Sequence, residues 1–477
     1  MNLREQLKRL SGDSLVYGGG QALAKAVNLL LVPVLTRVLL PQQFGVNELV
    51  VAYSQSILLV LVFGMDGALV RFLYEQKEHA ARVRMVSSSL AFRLVTGLAA
   101  ALVLWSAADP IAEHALGGAV YAKYLRIGAV TIPFTLLTLF WSDVLRVTFQ
   151  PGKFAALQVA QTVTIAAVTL YLVLVRDMGV AGVLYGRLAG DVIAALLGAL
   201  LGRHYLTGGF DRSQLVQMLR YGAPLVPVAF AYGLIGFADR YTLQQAASLD
   251  AVGVYGVAMR FFSVVTMGVS AFQLAFMPFA FSKAQEPGAP AVIVRIASLF
   301  VVVASALALA AGLFAPEALL LLAGADYAGA ARPALWLGFA AVAQGAYYVA
   351  ALGVSLALRN PILGLTAGAS ALVAWLANLL LVPRMGVEGA AIATFTGYAL
   401  SAVLTYAVSQ RYWPMPYRPW RLAAVFLGAL VIGLVTTRFA PEGAAGWAIR
   451  IAALVVHAGW AWALGMFTRA GSLRAGH

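Results

Sequence analysis

Residues 172–190 read LVLVRDMGVAGVLYGRLAG, and residues 379–397 read LLLVPRMGVEGAAIATFTG. Met178, Gly179, Val180, Gly182 and Gly190 recur as Met385, Gly386, Val387, Gly389 and Gly397, at a constant shift of 207 residues. Nearer the start of each half, FGV around Gly45 recurs as VGV around Gly253, a shift of 208. A fixed shift of this kind marks an internal structural repeat. Each long copy straddles the end of one apolar run and the start of the next.

Those runs set the fold. A helix needs about 20 apolar residues to cross the hydrocarbon core, and by that ruler the chain carries about fourteen spans. The first six are expected at 14–36, 44–64, 85–106, 124–148, 153–175 and 179–201. The next six are expected at 221–241, 252–281, 291–315, 331–358, 361–382 and 386–409, with two more at 419–438 and 447–468. Six spans separate equivalent points of the repeat, so both copies share one orientation. The expected architecture is an all-α integral membrane protein with two six-helix lobes. A pseudo-two-fold along the membrane normal relates them, and the transport site falls between them. The lobes are expected at 1–202 and 221–410, joined by a cytoplasmic loop at 203–220, with 411–477 holding the two added spans and a short tail.

Composition agrees. Apolar residues make up 62% of the chain and charged residues 11%, against roughly 25% charged in soluble domains. So few charges leave too little polar surface to face water. Cysteine is absent and the five histidines are scattered, which argues against a disulfide framework, a thiolate metal site or a metal-centred reaction. No catalytic constellation, metal site or cofactor is expected, and no nucleotide-binding motif is present.

The net charge of +14 does not point to nucleic acid, because the basic residues form no single patch. Placing the N-terminus in the cytoplasm puts twenty of the 33 Lys and Arg inside and nine outside, with four in spans. That is the positive-inside bias, with both termini cytoplasmic. In MNLREQLKRLSGD (1–13), Leu3, Leu7 and Leu10 share one helical face, as in a helix lying on the headgroups.

Charges at membrane depth are costly and are functional candidates by default. They are Lys25, Glu48, Arg93, Asp143, Arg187, Asp191, Asp239 and Arg260. Lys25 shares a helical face with Tyr17, Gln21 and Asn28, a polar stripe that must look into protein or a watery cavity. It reads either as a cationic wall for a phosphate headgroup or as a structural lysine paired with Glu48. Arg187 and Asp191, four apart, are expected to pair with each other. Asp143 and Arg146 read as structural, while Arg93, with Ser89 and Thr96 at i−4 and i+3, stays open between the two readings. Trp105, Trp141, Trp413, Trp420 and Trp447 lie near span ends and are expected to be interfacial anchors.

Two stretches carry a family resemblance. PVLTRVLLPQQFGVNELV (33–50) with GMDGALVRFLYE (64–75) resembles the opening of bacterial polysaccharide transporters. YGAPLVPVAFAYGLIGFADRYTLQQAASLDAVGVYGVAMRFFSVVTMGVSAFQLAFMPFAFS (221–282) is similar to their seventh and eighth spans. The family is the lipid-linked oligosaccharide flippases of Wzx type, within the multidrug/oligosaccharidyl-lipid/polysaccharide exporter superfamily.

The resemblance implies two six-helix bundles around a central cavity, lined by the first, second, seventh and eighth helices, with alternating access. It also implies a location in the bacterial cytoplasmic membrane. The implied substrate is a polyprenyl-pyrophosphate-linked oligosaccharide moved from inner to outer leaflet, with membrane lipids, a polysaccharide polymerase and chain-length machinery as partners. Lys25, Arg93 and Arg260, with Gln21 and Asn28, are the expected substrate-binding residues. Glu48, Asp239 and Arg240 are the candidate coupling or gate residues, with Asp239–Arg240 reading equally as a plain interface anchor; a proton or sodium gradient is a candidate energy source that the sequence leaves open.

Two other readings stay open. A cation-coupled multidrug exporter of the same superfamily would offer embedded carboxylates to cationic drugs. A membrane glycosyltransferase or polymerase would present an acidic pair on an outer loop, and the loops near 107–123 and 316–330 show none.

Overall fold

The computed structural model describes residues 26–27, 29–223, 226–284, 286, 288–357, 359, 361–441 and 443–467. Among them all regular structure is helical. Eleven segments are long and apolar enough to cross a membrane. One of these, α15 (Pro361–Tyr412), is two helices broken at Gly386, whose φ of 55° and ψ of −128° are not helical. This break is the repeat glycine, which coincides with the expected boundary between spans. The first expected span, 14–36, lies mostly outside the described residues; its described end continues into α1 (Leu29–Val38).

The chain divides into two compact units, Met1–Gly253 and Val254–His477. The first contains α2 (Pro41–Val62), α3 (Met65–Glu75), α4 (His79–Ser106), α5 (Ala108–Ala115), α6 (Ala122–Val147), α7 (Pro151–Leu170) and α8 (Gly179–Leu201). It continues through α9 (Arg212–Gly222) and α10 (Val226–Ala246) to the start of α11 (Leu249–Lys283). The second holds the rest of α11, then α12 (Ala289–Leu313), α13 (Ala315–Leu322), α14 (Ala331–Leu356), α15, α16 (Pro419–Phe439) and α17 (Ala444–Ala463).

The core of the first unit is built where α6 meets α8. Trp141 is 1% exposed, so it is not the interfacial anchor its place near a span end suggested. It packs edge-on to Phe140 with ring centroids 4.9 Å apart. Gly198 of α8 and Gly202 just after it make room for the indole: a Cβ on them would fall 2.5 Å and 2.1 Å from its ring. A small-residue face lets two membrane helices pack this closely. In the second unit, Phe339 and Leu335 of α14 occupy the corresponding role, buried against Leu309 of α12 and Leu430 of α16. Gly312 and Gly433 give way to Leu335.

The outer segments near 107–123 and 316–330, expected to be plain loops, each contain an eight-residue helix. α4 and α12 end at 106 and 313, and α5 and α13 span 108–115 and 315–322, so the 207-residue shift extends to them. Each short helix is tied down by charge within its own unit. Arg126 of α6 bonds Asp109 of α5 at 2.5 Å, and Arg450 of α17 pairs with Glu317 of α13.

Candidate functional site

Inside the first unit, α2 and α10 run antiparallel in close contact from end to end. Tyr53 meets Phe237 edge-on at 4.9 Å between ring centroids. Leu59 lies over Gly233, where a Cβ would sit 2.4 Å from its Cδ1. At one end Gly64, at φ +63°, abuts Gly222, and a Cβ on Gly64 would meet the Gly222 carbonyl oxygen at 2.7 Å. At the other end Gly45 meets the first turn of α11, where a Cβ would lie 2.0 Å from the Leu249 carbonyl oxygen and 3.1 Å from the Gly253 nitrogen.

An ion pair crosses this seam. Arg240 donates to Glu48 Oε2 from Nη2 at 2.9 Å and from Nε at 3.2 Å. Its Nη1 donates to the Gly236 carbonyl at 2.8 Å, which fixes the guanidinium against its own helix. Glu48 is buried, and its neighbour across the seam, Asp239, is 2% exposed. Breaking such a pair by removing one partner costs about 3–5 kcal/mol, because the other charge is left buried. Sequence reasoning placed both residues at the gate but did not pair them, since 192 residues separate them. The available signal was depth: Glu48 lies near the start of its span and Arg240 near the end of its own. Lys25, the expected alternative partner of Glu48, lies outside the described residues, as do Gln21 and Asn28.

Arg93 on α4 is 0% exposed. Its guanidinium lies over the Phe140 ring at 5.4 Å and 3.8 Å from Asp143 Oδ2. Among the described residues none of its three nitrogens, nor the Ser89 hydroxyl one turn earlier, finds a hydrogen-bond partner. Asp143 is held more tightly by Arg146, at 2.7 Å. Arg93 is thus enclosed in the core of the first unit, away from the α2–α10 seam.

Asp191 and Arg187 do not pair as their spacing suggested. Asp191 is 1% exposed. It accepts from Thr135 Oγ1 of α6 and, at 2.6 Å, from Gln161 Nε2 of α7, while Thr138 donates to its backbone carbonyl at 3.1 Å. Arg187 forms no ion pair within 4.0 Å among the described residues. It lines a small cavity with Val50, Val51 and Ser54 of α2 and Thr131 and Thr135 of α6. The second unit carries Arg260, half-buried on α11. Among the described residues no group of three His, Asp or Glu side chains is placed to hold a metal ion.

The arrangement is that of a polytopic helical membrane protein, with a pinned two-helix seam and charges buried within its spans. The family profile described as polysaccharide biosynthesis protein matches residues 34–331. A protein of the Lsg locus of Haemophilus influenzae is 21% identical over 280 residues, which cover 57% of this chain and 66% of that protein, just under two thirds. Among solved structures, lipid II flippase MurJ in an inward closed conformation superposes with a TM-score of 0.74 at 11% identity, over 93% of this chain and 98% of its own. An inward-facing multidrug resistance MATE family transporter of the MOP superfamily gives 0.64 at 15% identity, over 83% and 94%. A MOP superfamily transporter from Pyrococcus furiosus gives 0.60 at 15% identity, over 87% and 95%. At these identities the likeness is one of fold. It bears out the resemblance read from residues 33–50, 64–75 and 221–282. The chain belongs to the polysaccharide biosynthesis protein family and has the MOP transporter fold.

Proposed function

We propose that the protein is a flippase that moves a polyprenyl-pyrophosphate-linked oligosaccharide from the inner to the outer leaflet of a bacterial cytoplasmic membrane. One observation weighs most in choosing this over a drug exporter. The embedded carboxylates are engaged by the protein itself: Glu48 by Arg240, Asp143 by Arg146 and Asp191 by Thr135 and Gln161. A cationic drug would need such carboxylates. Arg187 and Arg260 are half-buried cations in spans, the charge a pyrophosphate needs, and arginine matches phosphate oxygens in geometry as well as charge.

In this reading Arg260, with Lys25, Gln21 and Asn28, captures the headgroup while the polyprenyl tail stays in lipid. The seam of α2 and α10, pinned by Glu48 and Arg240, is a gate that parts during the cycle. The lobes are 1–202 and 221–410, both termini face the cytoplasm, and a polysaccharide polymerase receives the product. An ion gradient supplies the drive.

The test is transport per molecule of folded protein. A charge-assisted bond to phosphate contributes roughly 1.5–3 kcal/mol. Arg260→Ala is therefore expected to cut transport about tenfold to a hundredfold, and Arg260→Lys to retain part of it. Unchanged transport at normal abundance removes Arg260 from the headgroup site.

A further inference from the structure

The carboxyl group of Asp191 has an environment unlike that of the other embedded charges. Two groups hydrogen-bond to it, Thr135 of α6 and Gln161 of α7, while Thr138 bonds the Asp191 backbone carbonyl and Arg187 stands one turn away on its own helix. Of these only Arg187 is charged; it lies beyond ion-pair distance and lines the α2-facing cavity. The carboxyl is thus buried at membrane depth with hydrogen bonds and no tight counter-charge. Such a group is held well enough to persist and compensated too little to stay ionised unconditionally.

Thr135 supplies the means to change state. Its hydroxyl oxygen lies in hydrogen-bond contact with Asp191 Oδ2 and 3.2 Å from the Thr131 carbonyl. A hydroxyl has one proton to give and lone pairs to accept. When Asp191 is ionised, Thr135 donates to the carboxylate. When a proton binds Oδ2, the carboxylic acid donates to Thr135, and the hydroxyl turns its own proton to the Thr131 carbonyl. Gln161 donates to Oδ1 in both states. The proton is taken up with no heavy atom leaving its partner; one hydroxyl rotates. The neighbouring cavity, with Ser54 and Thr131 in its wall, has room for about one water molecule, a last stop for the proton.

We propose that Asp191 is a proton-binding site, and that its occupancy decides where the Arg187 side chain rests. With the proton bound, Asp191 is neutral and Arg187 lies at the cavity against α2. With the proton gone, the carboxylate draws the guanidinium one turn along α8 into an i, i+4 ion pair. The cavity wall on α2 then loses its cation. Since α2 also carries Gly45 and Glu48, the proton is linked to the seam. This names the coupling group within the flippase reading, and its consequence for transport rests on that reading; its chemistry does not.

The experiment is the infrared difference spectrum of the full chain in lipid vesicles between acid and neutral pH. A buried carboxylic acid gives a C=O stretch apart from the amide bands. We expect one such band at acid pH that is lost in Asp191→Asn and shifted in Thr135→Val, which removes its hydrogen-bond partner while keeping the shape. If the asparagine variant does not fold, the valine variant reads the same band. A band that persists in Asp191→Asn, or that does not shift in Thr135→Val, overturns the proposal. Lipid-linked precursor plays no part in this readout. A band that behaves as expected in a chain that moves no precursor therefore keeps the proton site and overturns the flippase reading.

Discussion

Gly45 and Gly253 meet reciprocally. A Cβ on Gly45 would strike the carbonyl oxygen of Leu249, four residues before Gly253, and a Cβ on Gly253 would strike that of Pro41, four residues before Gly45. In each case the third-nearest atom is the partner glycine's own nitrogen, at 3.1 Å. These are the two glycines that the 208-residue repeat equates. The contact joins the first turns of α2 to the first turns of α11 within the first unit.

Gly45→Ala and Gly253→Ala should each prevent this approach, because the obstructing atoms are backbone and cannot swing away. Overpacking of this kind costs about 1–3 kcal/mol, to be read as a lower unfolding temperature in detergent together with reduced transport. Gly368→Ala is the control, since a Cβ there meets nothing within 4 Å, and an exposed helix interior gains about 0.5–1 kcal/mol from the change. Equal tolerance at all three positions would show that the seam does not close tightly.

The Glu48–Arg240 pair can be tested as a moving part. The chain contains no cysteine, so Glu48→Cys with Arg240→Cys creates the only thiols. Joining them with a short bifunctional thiol reagent should abolish transport, while either single variant treated alike retains its own level. Full transport after cross-linking would mean that α2 and α10 stay together throughout the cycle.

Arg93 and Asp143 should respond asymmetrically. Arg93 has no hydrogen bond at its guanidinium among the described residues, whereas Asp143 keeps Arg146 at 2.7 Å if Arg93 is removed. Arg93→Met, which fills similar volume, is expected to change stability little. Asp143→Asn strips Arg93 of its anion and should cost about 3–5 kcal/mol, seen as lost folded protein in the membrane. The reverse order would show that Arg93 has a partner of its own, as a substrate phosphate would be.

The sequence showed most of the span ends but not the polar partners. The expected sixth span and α8 share the bounds 179–201, because an apolar run of that length has one physical solution in lipid. The helices at 108–115 and 315–322 were missed because eight residues are too few to display a helical period; ADPIAEHA and APEALLLL share a proline near the start and little else. Trp141 was misplaced because proximity to a span end says nothing about which face of the helix bears the ring. Asp191 found Thr135 and Gln161, on two other helices, rather than Arg187 one turn away. Spacing along one helix records which groups can meet, and packing decides which do.

His204, just beyond the C-terminal end of α8, gives a pH signature. Partial burial, then the charges of Lys153, His79 and Arg203, push its imidazole below the ordinary value of 6.5. A histidine lowered in the folded state supports folding above about 6.5 and loses that contribution as pH falls through its folded value. By NMR, Lys153→Ala should move the His204 titration part of the way back up, leaving the larger effect of burial. No movement would mean that Lys153 does not reach the ring.

The central claim concerns which leaflet the precursor occupies. In cells depleted of this protein, lipid-linked oligosaccharide should accumulate while its synthesis continues. An oligosaccharide-modifying enzyme added to intact spheroplasts should fail to reach it, and should reach it once the protein is restored. Accumulated precursor that is equally accessible from outside with and without the protein, or synthesis that stops when the protein is lost, would contradict the account.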